Sequence, residues 1–170
     1  MSKAFTKEDD VGEIQALPRL QSLLRPGERN YLTTAGAQRL RDELEQLSVE
    51  KRPPLRARAQ ADGEARHELQ VLDQRVAYLK ESLRTAVVVS PAAGGDEGVR
   101  FGATVTVRDG KGETTRYRLV GVDETDLDQN WVSWQSPIAR ALLNARLGQR
   151  VIFKFPAGQA ELEIVKIQYE

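Results

Sequence analysis

The chain has 170 residues, with 25 basic and 25 acidic side chains, one histidine and no cysteine. That length holds one or two small domains, and the balanced charge gives no global attraction to nucleic acid or to a membrane surface. The lack of cysteine excludes a disulfide framework and a thiolate metal site, no apolar run approaches the ~20 residues of a membrane span, and the opening "MSKAFTKEDDVGE" lacks the apolar core of a signal peptide, so a cytoplasmic protein is expected.

Residues 1–30 are polar, with Glu8, Asp9, Asp10, Pro18 and Pro26, and read as a flexible tail in which "LPRLQSLL" is a short apolar turn suited to docking. A helix is predicted from "YLTTAGAQRL", where Thr33 or Thr34 caps it by accepting an orphan N–H of the first turn. Ala37, Leu40, Leu44 and Leu47 then form a narrow apolar seam, with Arg39, Arg41, Asp42, Glu43 and Glu45 on the solvated face. Pro53 and Pro54 predict a kink or restart, because a proline inside a helix costs about 3 kcal/mol. A second helix is predicted from Gly63 to Leu83, with Leu69, Leu72, Val76, Leu79 and Leu83 on one face. Neither helix buries its stripe alone, so residues 31–89 read as an antiparallel coiled-coil hairpin turned at "ADGE".

The stretch Ser90 to Gly98 reads as a boundary. Beyond it the period changes to two: Phe101, Ala103, Val105 and Val107 share a face. "RDGKGE" signals a hairpin turn, "TTRYRLVG" the returning strand and "NWVSW" a third strand. "SPIARALLNARLG" predicts a helix with Ser136 as N-cap, Pro137 at its first position and Gly148 past its end. "RVIFKF" and "AELEIVKIQY" around "PAGQ" close the chain with another hairpin. The expected class is therefore α+β: an α-helical hairpin followed, over 98–170, by an antiparallel sheet with one helix. Trp131 and Trp134, three apart, are expected on opposite faces, and Asp123, Glu124 and Asp126 read as a solvated loop.

"FGATVTV", "YRLVGVDETD", "SPIARALL" and "PAGQAELEIVKIQY" together resemble the C-terminal domain of the bacterial transcript-cleavage factors GreA and GreB. "YLTTAGAQRLRDELEQL" with "KRP" resembles their first coiled-coil helix, and "MSKAFTKED" with "RPGERNYLT" is similar to the GreB-type opening. The resemblance implies an FKBP-like C-terminal domain docked on RNA polymerase at the rim of its secondary channel, with the coiled coil entering the channel. Two acids at the tip then complete a magnesium site of the polymerase, where backtracked RNA is cleaved. Such a factor is a regulator rather than an enzyme, holds no cofactor of its own beyond that shared Mg²⁺, acts as a monomer and meets nascent RNA only indirectly. The family's rim-docking loop falls on Gln135, Ser136, Pro137, Ile138 and Arg140.

The tip departs from the family pattern of Gly-Asp, two residues, Glu-Asn, and reads "ADGEARHE". Asp62, Glu64 and Glu68 are candidates for the acids by location, while Asp62-Gly63 is equally a turn and N-cap pair. Against the family, the arms are about six residues short each, which removes about 9 Å of reach at ~1.5 Å per residue. A carboxylate binds Mg²⁺ at about 2.0–2.1 Å, so that deficit removes coordination unless docking shifts. Of the family's basic run, Arg56, Arg58 and Arg66 remain as contacts for RNA or the channel. Glu64 and His67 stand at helical Glu-x-x-His spacing but lack the second copy and further carboxylates of a di-metal bundle, so no metal site is expected. The leading expectation is a Gre-like protein that binds RNA polymerase and modulates transcription without efficient transcript cleavage. An active stimulator of cleavage, with the tip acids holding Mg²⁺, is the alternative. A peptidyl-prolyl isomerase on the FKBP-like fold is another, disfavoured by too few suitably placed aromatics, and a nucleic-acid module is disfavoured by the absence of a basic stripe.

Overall fold

The computed structural model describes residue 24 and residues 26–90 and 98–169; most of the predicted tail, and the middle of the predicted boundary, lie outside these described residues. Asn30, the last residue of that tail reading, is buried and begins strand β1 (Asn30–Thr33). This strand runs directly into helix α1 (Thr34–Glu45), where Thr33 is the N-cap and its hydroxyl accepts from the Gly36 N–H at 2.9 Å. At the two prolines, where a kink or restart is predicted, a new helix does start, but along a continuous helical path. A π turn (Gln46–Lys51) leads into α2 (Arg52–Arg58), and the Arg52 N–H reaches back to the Leu47 carbonyl, five residues earlier. Pro53 and Pro54 have no N–H to give the carbonyls of Val49 and Glu50, so the regular ladder fails there. The wider turn carries the chain through that gap without a break.

The chain turns at 59–62 and returns as α3 (Gly63–Thr85), 23 residues long. Ala37 and Leu40 of the first arm and Leu72, Val76 and Leu79 of the second are buried, as the two stripes predict. Leu44, Leu47 and Leu83 pack at the margin of the same apolar cluster. Ion pairs tie the arms along their length: Arg75 binds Glu43 through two hydrogen bonds of 2.7 and 2.8 Å, and Arg52 meets Asp73 at 2.6 Å. In each pair the hydrogen bond to the carboxylate holds the guanidinium above its usual range, so both stay charged. Helix α3 passes straight into β2 (Ala86–Val89), which pairs in parallel with β1 and closes the base of the hairpin. This small sheet has no sequence signal, since each strand is four residues long and the pairing joins residues more than fifty apart.

The second unit is a five-stranded sheet of order β5-β4-β3-β7-β6, built from β3 (Ala103–Asp109), β4 (Thr114–Val120), β5 (Trp131–Ser133), β6 (Arg150–Phe155) and β7 (Gly158–Tyr169). Ala103, Val105 and Val107 are buried on one face, as the alternation predicts. A register shift opposite Thr106 and Val107 bends the β3–β7 pair. The expectation of a wholly antiparallel sheet fails at β5, which lies parallel to β4. The connection between them contains a 3-10 turn (Val122–Glu124), and Asn130, with φ 55°, turns the chain into the parallel direction. The predicted helix is also shorter: α4 spans Pro137–Leu142, with Ser136 as N-cap. Asn144 takes φ 65°, and the following residues leave the helix to bond Val99, through Val99 N–H to the Ala145 carbonyl at 2.8 Å. Among the described residues no helix is long and apolar enough to cross a membrane.

Leu79, fully buried between the arms and the small sheet, is the test of the hairpin base. Leu79→Ala is expected to lower unfolding free energy by about 2–5 kcal/mol in urea titrations, while Val49→Ala, on the exposed side of the π turn, is expected to change it by less than about 0.5 kcal/mol.

Candidate functional site

The hairpin tip gathers the candidate acids and engages Asp62 and Glu68 in local contacts. Asp62 is the N-cap of α3, its carboxylate accepting from the Glu64 N–H at 2.9 Å. A short polar side chain with β-region backbone directly before a helix does this, and its negative charge suits the helix's positive end. Arg58, at the end of the other arm, reaches both Asp62 at 3.7 Å and Glu68 at 3.9 Å. The guanidinium therefore lies in the neighbourhood of both carboxylates, and all three side chains remain partly exposed. Glu64 is exposed, as are Arg56, Arg66 and His67. Among the described residues no three side chains of the types that ligate metals converge on one point.

The predicted rim residues divide into two sets. Gln135 is 7% exposed and Ile138 8%, so these two face inward; Ile138 belongs to the sheet's apolar core. Pro137 and Arg140 are exposed, and Arg140 meets Glu28 at 3.6 Å, which brings the start of the described chain beside α4. Ser136 is half-buried and caps α4, accepting from the Ala139 N–H at 3.2 Å. The two tryptophans differ in surroundings. The Arg39 and Arg118 guanidinia stand 5.0 and 4.8 Å from the Trp131 ring centre, while Trp134 packs edge-on to Tyr31 with ring centres 5.3 Å apart. Both therefore pack against neighbouring side chains where the hairpin meets the sheet.

The loop reading of Asp123 and Glu124 is overturned. Glu124 is only 3% exposed, because its carboxylate accepts the Thr33 N–H at 2.9 Å, the Thr33 hydroxyl, and the Gly121 N–H at 3.0 Å. Asp123 accepts from the Tyr78 hydroxyl and, at 2.5 Å, from Ser82. Burial is possible because these donors replace water around the charge. Asp126 alone of the three fits the solvated reading. The Gln129 side-chain amide bonds it and holds its carboxyl below the usual range, so it is ionised at neutral pH. Gly36 makes room for the Glu124 contact: it stands in the first turn of α1, where a Cβ would overlap the Glu124 carboxylate.

A helical hairpin joined to a five-stranded α+β unit can be compared with known proteins. A family model described as "Transcription elongation factor, GreA/GreB, C-term" matches residues 95–169. The transcription elongation factor GreB of Neisseria meningitidis serogroup A is 36% identical over 154 aligned residues, covering 83% of this chain and 94% of that protein. The chain belongs to the GreA/GreB family. The family's GreA from Xylella fastidiosa strain M12 is 37% identical, covering 83% of this chain and 98% of that one. A crystal structure of Thermus aquaticus Gfh1 aligns with a TM-score of 0.40 and 27% identity over 82% of this chain and 98% of the other. The 154 positions aligned with the Neisseria GreB exceed the 83% of 170 residues contributed here by about a dozen. This Gre-family chain therefore lacks about that many residues inside the aligned span.

Whether Asp62 acts here as a cap or as a free charge is measurable. Asp62→Ala is expected to destabilise the hairpin by about 0.5–2 kcal/mol in thermal or urea unfolding, while Asp62→Asn, which keeps the capping oxygen, is expected to cost under about half of that.

Proposed function

We propose that this Gre-family protein binds RNA polymerase through its sheet unit, an FKBP-like domain, extends the hairpin as a coiled coil into the secondary channel, and modulates transcription without efficient cleavage of backtracked RNA. The division between hairpin and sheet at 90–98 is part of this reading, as is action as a monomer. Relatives named as transcription elongation factors support the general role. The observation that carries the finer reading is the state of the tip acids. Asp62 caps α3, and Arg58 shares its charge between Asp62 and Glu68. A divalent cation needs carboxylate oxygens at about 2.0–2.1 Å, free of competing cations and advanced far enough to reach it. This tip offers neither an uncommitted acid pair nor the family's spacing. If the missing dozen residues come from the arms, about six from each, the tip is set back by ~9 Å.

On this reading Pro137 and Arg140 form the exposed part of the docking surface, Ser136 fixes the start of α4, and Gln135 and Ile138 support the loop from within. Arg56 and Arg66 are left to face the channel wall or RNA, and Mg²⁺ stays with the polymerase. The protein occupies the channel and competes with cleavage-competent factors.

The test is co-purification with core RNA polymerase, followed by RNA cleavage in stalled, backtracked complexes. Binding is expected, with transcript shortening no faster than in polymerase alone, and with slower shortening when the protein is added ahead of a cleavage-competent Gre factor. Rapid shortening that depends on the protein, and is lost in Asp62→Ala or Glu64→Ala, would instead establish the active-stimulator alternative. Failure to bind core polymerase would sink both.

A further inference from the structure

Beside the ring contacts of Tyr31 and Arg39 with Trp134 and Trp131, the hairpin is held to the sheet by a three-residue turn, Val122–Glu124, whose two acids grip opposite arms. Glu124 takes the beginning of the ascending arm. Its carboxylate accepts both the backbone N–H (2.9 Å) and the hydroxyl of Thr33, the residue that caps α1, and Arg39 of the next turn lies 3.9 Å away. Asp123 takes the end of the descending arm, accepting from Tyr78 and Ser82 of α3. Ser82 in turn accepts from the Asn30 side-chain amide at 3.1 Å, which links the two arms beneath the turn. Two glycines make room. A Cβ at Gly36 would overlap the Glu124 carboxylate, and one at Gly121 would overlap the Tyr31 carbonyl.

Apolar packing at this base resists separation, but it is non-directional and tolerates rotation. Hydrogen bonds weaken steeply with angle, and a swing of the hairpin in any direction disturbs one of the two acid clusters. We infer that Asp123 and Glu124 are positioning residues that set the direction in which the hairpin leaves the sheet, and with it the location of the tip. The leverage is large: at ~1.5 Å per residue the 23-residue α3 is about 34 Å long, so a 10° swing moves the tip by about 6 Å. This inference concerns the free protein and stands whether or not polymerase is the partner.

The chain has no cysteine, so Gln60→Cys at the tip and Lys111→Cys in the β3–β4 turn, both exposed, accept spin labels cleanly. Pulsed electron–electron resonance on the parent pair is expected to give one narrow distance distribution. Glu124→Ala and Gly36→Ala are each expected to broaden or shift it by about 6 Å or more, the displacement of a ~10° swing over the length of α3. Combining them is expected to add nothing beyond Glu124→Ala, since the second change then has no carboxylate to displace. Circular dichroism reports whether each variant is folded. A folded Glu124→Ala variant with the parent's distribution overturns the inference, because a merely stabilising contact lowers the melting temperature without moving the tip. If Glu124→Ala does not fold, Asp123→Ala, at a half-buried position, serves instead, and a parent-like distribution in that variant overturns it equally.

Discussion

A buried carboxylate with no cation in close contact is costly, and the region around Glu124 is arranged to offset that cost. Desolvating an ionised carboxylate costs at least several kcal/mol unless hydrogen bonds replace its water. Here two backbone N–H groups and a hydroxyl do so, and the nearest guanidinium, at 3.9 Å, is half exposed. The start of a helix is the natural place for such a charge, since its first N–H groups have no partners within the helix. Thr33 works in both directions: it accepts from Gly36 to cap α1 and donates to Glu124 of the distant turn. Helix initiation and the joining of the two units therefore draw on the same few atoms. The small parallel sheet, the burial of Asn30 and the packing of Trp134 on Tyr31 are all assembled around that point.

The elements that the sequence made legible are those with local, repeated signals. The apolar stripe of α3, the Thr33 and Ser136 caps and the alternation of Ala103, Val105 and Val107 need no knowledge of distant residues, and each is found as predicted. Two of the misreadings share one cause, a contact made across a long stretch of chain. Glu124 looks like a loop acid until Thr33, ninety-one residues away, is beside it. Residues 143–148 look helical until Val99 claims the backbone of Ala145. Strand β5 looks antiparallel because neighbouring strands usually are, and nothing in its three residues announces otherwise. For the candidate site, position was legible and geometry was not. The turn between two stripes marks a tip, whereas the reach of Arg58 to both Asp62 and Glu68 depends on how the arms meet.

The tip and the base of the hairpin make contrasting use of acids. At the base, carboxylates are enclosed and fixed by donors from separate elements. At the tip they are exposed, and the ion pairs there are long and open to screening by salt. Directional bonds from several elements are therefore concentrated at the end of the hairpin that joins the sheet, and long, exposed ion pairs at the end that projects away from it. The ion pairs between the arms, Arg75 with Glu43 and Arg52 with Asp73, lie between these extremes and keep the two helices in register along the hairpin.

The π turn before the prolines has a consequence for the phase of the apolar stripe. An uninterrupted seam through Leu40, Leu44 and Leu47 would next place Lys51, Pro54 and Arg58 against α3. In the folded chain Lys51, Pro54 and Arg58 are exposed, and Arg52, Leu55 and Ala59 are the more sheltered residues, one position later in each case. The wide turn thus acts as a one-residue phase slip, which returns an apolar face to the interior and leaves Arg58 free to meet the acids of the tip. Which charge stands at the crown of the hairpin is decided some ten residues below it, by a turn of helix wound more loosely than its neighbours.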